Sequence, residues 1–101
     1  MTQALPFVHR GVEVWTLRQV DRANDVPKGT AFRAFKRCLP ALVEDRDFFV
    51  ETIAAPSDPT ASRLLTCMRD AEALYPSSHA AILVTRSACT QMQGVANLRL
   101  P

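Results

Sequence analysis

Apolar and polar residues change period several times along this chain, and each change marks an element. Phe7 and Val8 lead into His9-Arg10-Gly11, after which Val12-Glu13-Val14-Trp15 alternates apolar with polar. Gly11 suits a tight turn, so residues 6–15 read as a hairpin. Thr16 is placed to cap a first helix from Leu17 to Asn24. In it Leu17 and Val20 point inward with Ala23 or Asn24, while Arg18 and Arg22 lie one turn apart outside. Asn24 to Gly29 is a turn by composition. Thr30 then reads as the cap of a second helix, its hydroxyl accepting from free backbone N–H groups. At roughly 100° per residue, Phe32, Phe35 and Leu39 share one face, with Ala34 and Cys38 beside them. Arg33, Lys36 and Arg37 take the opposite face, and Pro40 ends the helix or bends it at Leu39.

The second half of the chain repeats the exercise. Asp47-Phe48-Phe49-Val50-Glu51-Thr52 favours a strand. Ala54 to Ser57 is a loop, and Asp58 caps a helix with Pro59 in its first turn. Ala61, Leu64, Leu65, Met68, Ala71 and Tyr75 recur at steps of three and four, which predicts a core-facing helix over 58–75. Pro76-Ser77-Ser78 breaks the chain, Ala80 to Val84 reads as a strand, and a short helix follows over 88–92. Residues 93–101 read as a tail. The expected architecture is α+β: a helix-turn-helix over 16–39 with a small antiparallel sheet, like a winged helix. The wing and an inserted helix occupy 47–85. Trp15, Phe32, Phe35, Phe48, Leu64, Leu65, Met68, Ile82 and Val84 are the expected core.

Composition narrows the function. The 101 residues suffice for one domain with a modest core and leave little room for a deep enzyme cleft. The net charge is only +2, so any anion-binding surface depends on local placement of charge. Such a placement exists, because no acidic residue occurs from Val26 to Val43. Like charges crowded on one helix face repel one another, an arrangement that makes most sense opposite a polyanion such as DNA. Cys38, Cys67 and Cys89 are odd in number, lack a C-x-x-C spacing and sit among apolar neighbours. They read as small packed hydrophobes, which argues against a zinc site or a disulfide framework. His9 and His79 are isolated and read as surface residues. Glu44, Asp45 and Asp47 read as a charged turn before a buried strand. No serine sits in a nucleophile motif and no glycine-rich phosphate loop is present, so no enzyme and no cofactor is expected. The chain carries neither a signal-peptide pattern nor an apolar run of membrane-spanning length, so a cytoplasmic protein is the expectation.

Three segments carry a family resemblance. They are Val14 to Asp21, Pro27 to Arg37 with its G-T-x-F-R-x-F-K run, and Leu42-Val43-Glu44-Asp45-Arg46-Asp47-Phe48-Phe49. Together they resemble the N-terminal DNA-binding domains of phage antirepressor and KilA-N-like proteins, as does Ile82 to Ser87, which is similar to a second wing strand. Asp45 stands where the family often has glycine, and Ala88 and Cys89 stand where a wing glycine is usual. The resemblance spans residues 12 to 90. It implies sequence-directed binding of double-stranded DNA in phage or prophage gene control. Arg33, Lys36 and Arg37 are then the expected base and phosphate contacts. Lys28 and Thr30 are expected to meet a phosphate at the helix start, and Arg18 and Arg22 to touch the DNA backbone. Such small domains often gain affinity as a homodimer on two half-sites. The alternative expectation is a small phage-encoded inhibitor that binds a host protein, of the anti-CRISPR type. The low net charge and the acidic turn beside the basic helix keep it open.

Overall fold

The computed structural model describes residues 5–96 together with 98 and 99. Strands β1 (Phe7–His9) and β2 (Val12–Thr16) form the expected hairpin. Its turn places Arg10 and Gly11 at φ 52° and 77°, a left-handed pair that glycine enters without steric cost. Helices α1 (Leu17–Ala23) and α2 (Thr30–Cys38) follow, then a short 3-10 turn, Leu39–Ala41, around Pro40. Strand β3 (Phe48–Thr52), helix α3 (Pro59–Asp70), strand β4 (Ala80–Val84) and helix α4 (Arg86–Ala96) complete the chain. The molecule is α+β, with one antiparallel sheet in the order β1-β2-β4-β3. No described helix is long and apolar enough to cross a membrane.

The sheet is covered on both faces, which explains why β4 is apolar throughout rather than alternating. Trp15, Phe48 and Val84 share one cluster with Val20 of α1, Phe35 of α2 and Met92 of α4. Val14, Phe49, Ala81 and Leu83 share another with Leu65 and Met68 of α3. The period-two alternation of strand side chains sends neighbouring residues to these two cores. The inserted helix α3 therefore backs the sheet, and β4 is an inner strand between β2 and β3.

Several residues depart from expectation. Phe32 is 43% exposed, and Leu39 is exposed as well. The buried face of α2 is Ala31, Ala34, Phe35 and Cys38, turned about a quarter revolution from the aromatic stripe. Small side chains at 31 and 34 share a cluster with Ala88 and Cys89 of α4, so the two helices can approach closely. A phenylalanine at position 32 in that seam would hold them apart. Leu64 and Ile82, expected in the core, are only half-buried.

Helix α3 ends at Asp70, a turn earlier than its apolar stripe predicts. Glu72 takes φ 56°, and the N–H groups of Glu72 and Ala73 donate to Arg69 and Met68 carbonyls. This is a Schellman stop without glycine. Ala71 is exposed as a result, and Tyr75 lies beyond the helix. At the other end of the chain, α4 runs through Gln93 to Ala96, which the pattern assigned to the tail. Gly94 costs about 1 kcal/mol inside a helix, and burial of Ala88, Cys89 and Met92 against α2 offsets it. The rest of the expected tail, apart from Leu98 and Arg99, lies outside the described residues.

Cys67 is exposed, whereas Cys38 and Cys89 are buried as small hydrophobes. His79 is exposed, but His9 is not a surface residue: it is 4% exposed, its Nε2 stands 3.3 Å from Glu51 Oε2, and its ring meets Phe49 edge-on. Strand alternation puts His9 on the same inner face as Phe7, which the sequence reading overlooked.

Candidate nucleic-acid interface

Helix α2 presents Arg33, Lys36 and Arg37 within an arc of about 100° on its exposed side. Lys36 Nζ lies 5.7 Å from the centroid of the exposed Phe32 ring. Arg37 Nη1 donates to the Val95 carbonyl at 3.4 Å, and Arg33 Nη2 to Thr30 Oγ1 at 3.5 Å. Among the described residues none of the three is in an ion pair; the ion pairs there involve His9, Arg10, Arg46 and Arg86. The opposite side of α2 is held by the core, so the three cations are displayed from a rigid element.

The start of α2 is built differently from the expectation. Gly29, not Thr30, is the cap residue, at φ 93°. A side chain at 29 would be strained there, and its Cβ would meet Arg33 Nη1 at 3.2 Å. Thr30 is the first helical residue, and its hydroxyl donates to the Pro27 carbonyl at 2.8 Å. The capping oxygens come from Asp21 in α1, 2% exposed. Its carboxylate accepts from Gly29 N at 3.3 Å and Ala31 N at 2.8 Å. Thr30 N is taken by the Pro27 carbonyl. The N–H groups of Gly29, Thr30 and Ala31 are therefore taken and a carboxylate stands beside them, so a phosphate at this terminus would have to displace bonds the fold already makes.

Tyr75 completes the arrangement by donating its hydroxyl to Asp21. Burial, followed by this bond, pushes the Tyr75 hydroxyl from 10.0 up to about 12. The Arg18 guanidinium and Lys28 Nζ lie over the same ring, 5.2 and 5.0 Å from its centroid. Arg18 also donates to the Leu74 carbonyl at 2.7 Å, Arg22 to the Glu72 carbonyl at 2.9 Å, and Lys28 to Ser77 Oγ at 2.9 Å. Arg18, Arg22 and Lys28 thus tie the helix-turn-helix to the segment after α3. Arg18 is half-buried, which departs from its expected place on the outer side of α1.

Between these elements lies a cleft of about 240 Å³, with Leu17, Phe32, Leu74 and Ile82 in its lining. Sequence reasoning missed it, together with Asp21, Tyr75 and Gln19. Gln19 completes a capping box, its side chain accepting from Thr16 N while Thr16 Oγ1 accepts from Gln19 N. The T-x-x-Q spacing could have revealed that box. Nothing local signals that Asp21 caps a helix nine residues later.

Across the turn from α2 to β3, Asp47 is also buried rather than part of a solvated charged turn. Its side chain accepts from Arg46 at 2.8 Å, Ser87 at 2.7 Å and Val43 N at 2.9 Å. Those bonds, that of Arg46 first, lower its carboxyl to about 2. Asp45 takes φ 68°, a backbone region that glycine enters freely. Among the described residues no three His, Cys, Asp or Glu side chains are grouped to hold a metal. Comparison of the chain with protein-family models, curated proteins and solved structures gives no match.

Proposed function

We propose that the protein is a DNA-binding module of the phage regulator type, acting in the cytoplasm of a bacterial host through the outer face of α2. One observation carries this reading. Arg33, Lys36 and Arg37 project together from a helix anchored by its other face, and no described acid pairs with them. A short helix with cations on its free face suits insertion into a major groove, arginine reading base edges and lysine meeting phosphate. The G-T-x-F-R-x-F-K run that resembles the antirepressor and KilA-N-like domains falls on this same helix. The test is binding of a library of genomic duplex fragments at low salt. Wild-type protein retains a subset of fragments, and Arg33→Ala with Arg37→Ala loses most of that binding. No retention by the wild type overturns the reading.

A second reading has its own support. The exposed Phe32 and the apolar cleft beside it are unlike a surface built only for phosphates. They suit a protein partner, as in an inhibitor that docks on a host protein. Pull-down from nuclease-treated host lysate separates the two: a stoichiometric protein partner favours docking, and loss of all partners favours the regulator.

A further inference from the structure

The geometry points to the cleft between α1, α2 and β4 as an anchor site for an acidic segment of a protein partner. One large apolar side chain inserts beside Phe32 and Ile82, and neighbouring carboxylates meet Lys28 and Lys36. This rests on the protein-binding reading and gives that reading a place.

Size selects the occupant first. About 240 Å³ is below the roughly 300–1,000 Å³ of pockets that enclose whole small-molecule ligands. It suits a single leucine, phenylalanine or tryptophan side chain. Chemistry selects it next. Three polar side chains of the lining are already engaged with one another or with backbone: Thr16 Oγ1 donates to the Ala73 carbonyl, and Tyr75 donates to Asp21. Asp21 also accepts from two backbone N–H groups. These groups offer no free edge to a nucleobase, whereas an apolar side chain needs none.

Charge selects the flanks. Lys28 and Lys36 are exposed and both stand over aromatic rings of the lining, Tyr75 and Phe32. Arg18 adds a third cation at the same ring. The one acid of the lining, Asp21, is 2% exposed and turned to its three donors. The mouth is therefore cationic around an apolar floor. Apolar surface also continues out of the cleft, since Val50 lies opposite Ile82 in the β3–β4 ladder and is 41% exposed.

The experiment is selection of a displayed library of random dodecapeptides against the immobilised full chain. Enriched sequences should share one large apolar residue with Asp or Glu on either side. The strongest of them, synthesised, should shift the backbone amide resonances of Phe32, Leu74 and Ile82. Lys28→Glu and Phe32→Ala alter exposed side chains that no described core depends on. Each should weaken binding by about thirtyfold or more, the scale of an interface hot spot. Arg33→Ala with Arg37→Ala should leave it within about twofold, a change too small to signal a lost hot spot. No enrichment, enrichment of basic or purely apolar peptides, or shifts centred elsewhere overturns the proposal. So does an oligothymidine that shifts the cleft resonances when the peptide does not. A nuclease-resistant partner that Lys28→Glu still captures overturns the cleft while leaving the protein-binding reading intact.

Discussion

At the scale of single residues, buried carboxylates hold this molecule's joints. Asp47 fixes the turn before β3 to the start of α4 through Ser87, while its own carbonyl accepts from Thr85. Its carboxyl falls from an ordinary 3.8 to about 2, so the folded state favours the ionised form. The stabilisation is then complete above pH about 4 and is lost as pH falls through about 2. Urea midpoints measured across that window should fall steeply for the wild type and more gently for Asp47→Asn. Equal slopes would show that the bonds to Asp47 contribute nothing. In the sequence Asp47 is indistinguishable from its neighbours Glu44 and Asp45, which are exposed. Two of its three donors, Val43 and Arg46, are local, but Ser87 arrives only with the fold. Burial of a carboxylate depends on all of them. His9 and Asp21 escaped recognition for the same reason.

At the scale of elements, α2 depends on two supports. One is its small-residue seam with α4, into which Phe35 also packs, edge-on to Phe48 at 5.0 Å between centroids. Phe35→Ala should cost about 3–5 kcal/mol. Phe32→Ala, at a half-exposed site, should cost under about 1 kcal/mol. Equal losses in denaturant unfolding would contradict the observed rotation of the helix. The other support is Asp21. Asp21→Ala strands two backbone donors and the Tyr75 hydroxyl, at a cost of about 3 kcal/mol, whereas Tyr75→Phe removes one bond at about 2 kcal/mol. The raised Tyr75 value has a consequence in alkali. The folded state keeps that proton longer than the unfolded chain, so this stabilisation persists below pH about 10 and fades towards about 12. Tyr75→Phe should flatten the alkaline limb of a stability profile, and an unchanged limb would mean the phenol is neither buried nor held by Asp21.

Element positions were more legible than element faces. Strand β4 occupies the residues its apolar run marks, and Asp58 caps α3 through Ala61 N as its spacing with Pro59 suggests. These signals are local. The face α2 buries is not, because the helix stripe offered two solutions: an aromatic one with Phe32, Phe35 and Leu39, and a small-residue one with Ala31, Ala34 and Cys38. The choice was made by α4, whose length the sequence understated. The end of α3 was hidden by Glu72, which takes a left-handed turn with no glycine to announce it.

At the scale of the whole molecule, the decisive feature is how many cations remain available. The chain has 12 lysines and arginines against 10 acids, so net charge predicts weak interaction with a polyanion. Placement changes this conclusion. Arg18 and Arg22 are occupied with carbonyls of the segment after α3, Lys28 lies at the cleft with one of its three N–H groups on Ser77, and Arg46 and Arg86 face Asp47 and Glu13. Arg33, Lys36 and Arg37 stand together on α2 outside the described ion pairs, Arg33 and Arg37 held only by long bonds of 3.5 and 3.4 Å. If each neutralises one phosphate, the logarithm of DNA affinity should fall with the logarithm of salt at a slope of about −2.7, from about −0.9 per contact. A pair of copies on two half-sites should double that slope to about −5.4. Arg33→Ala with Arg37→Ala should reduce the single-copy slope to about −0.9. Arg22→Ala should leave it unchanged, because Arg22 is bonded to the Glu72 carbonyl. Fluorescence anisotropy on a labelled duplex across a salt series reads all four values. A slope that survives loss of both arginines would move the interface off α2, and one that drops with Arg22 would place the DNA across α1 instead.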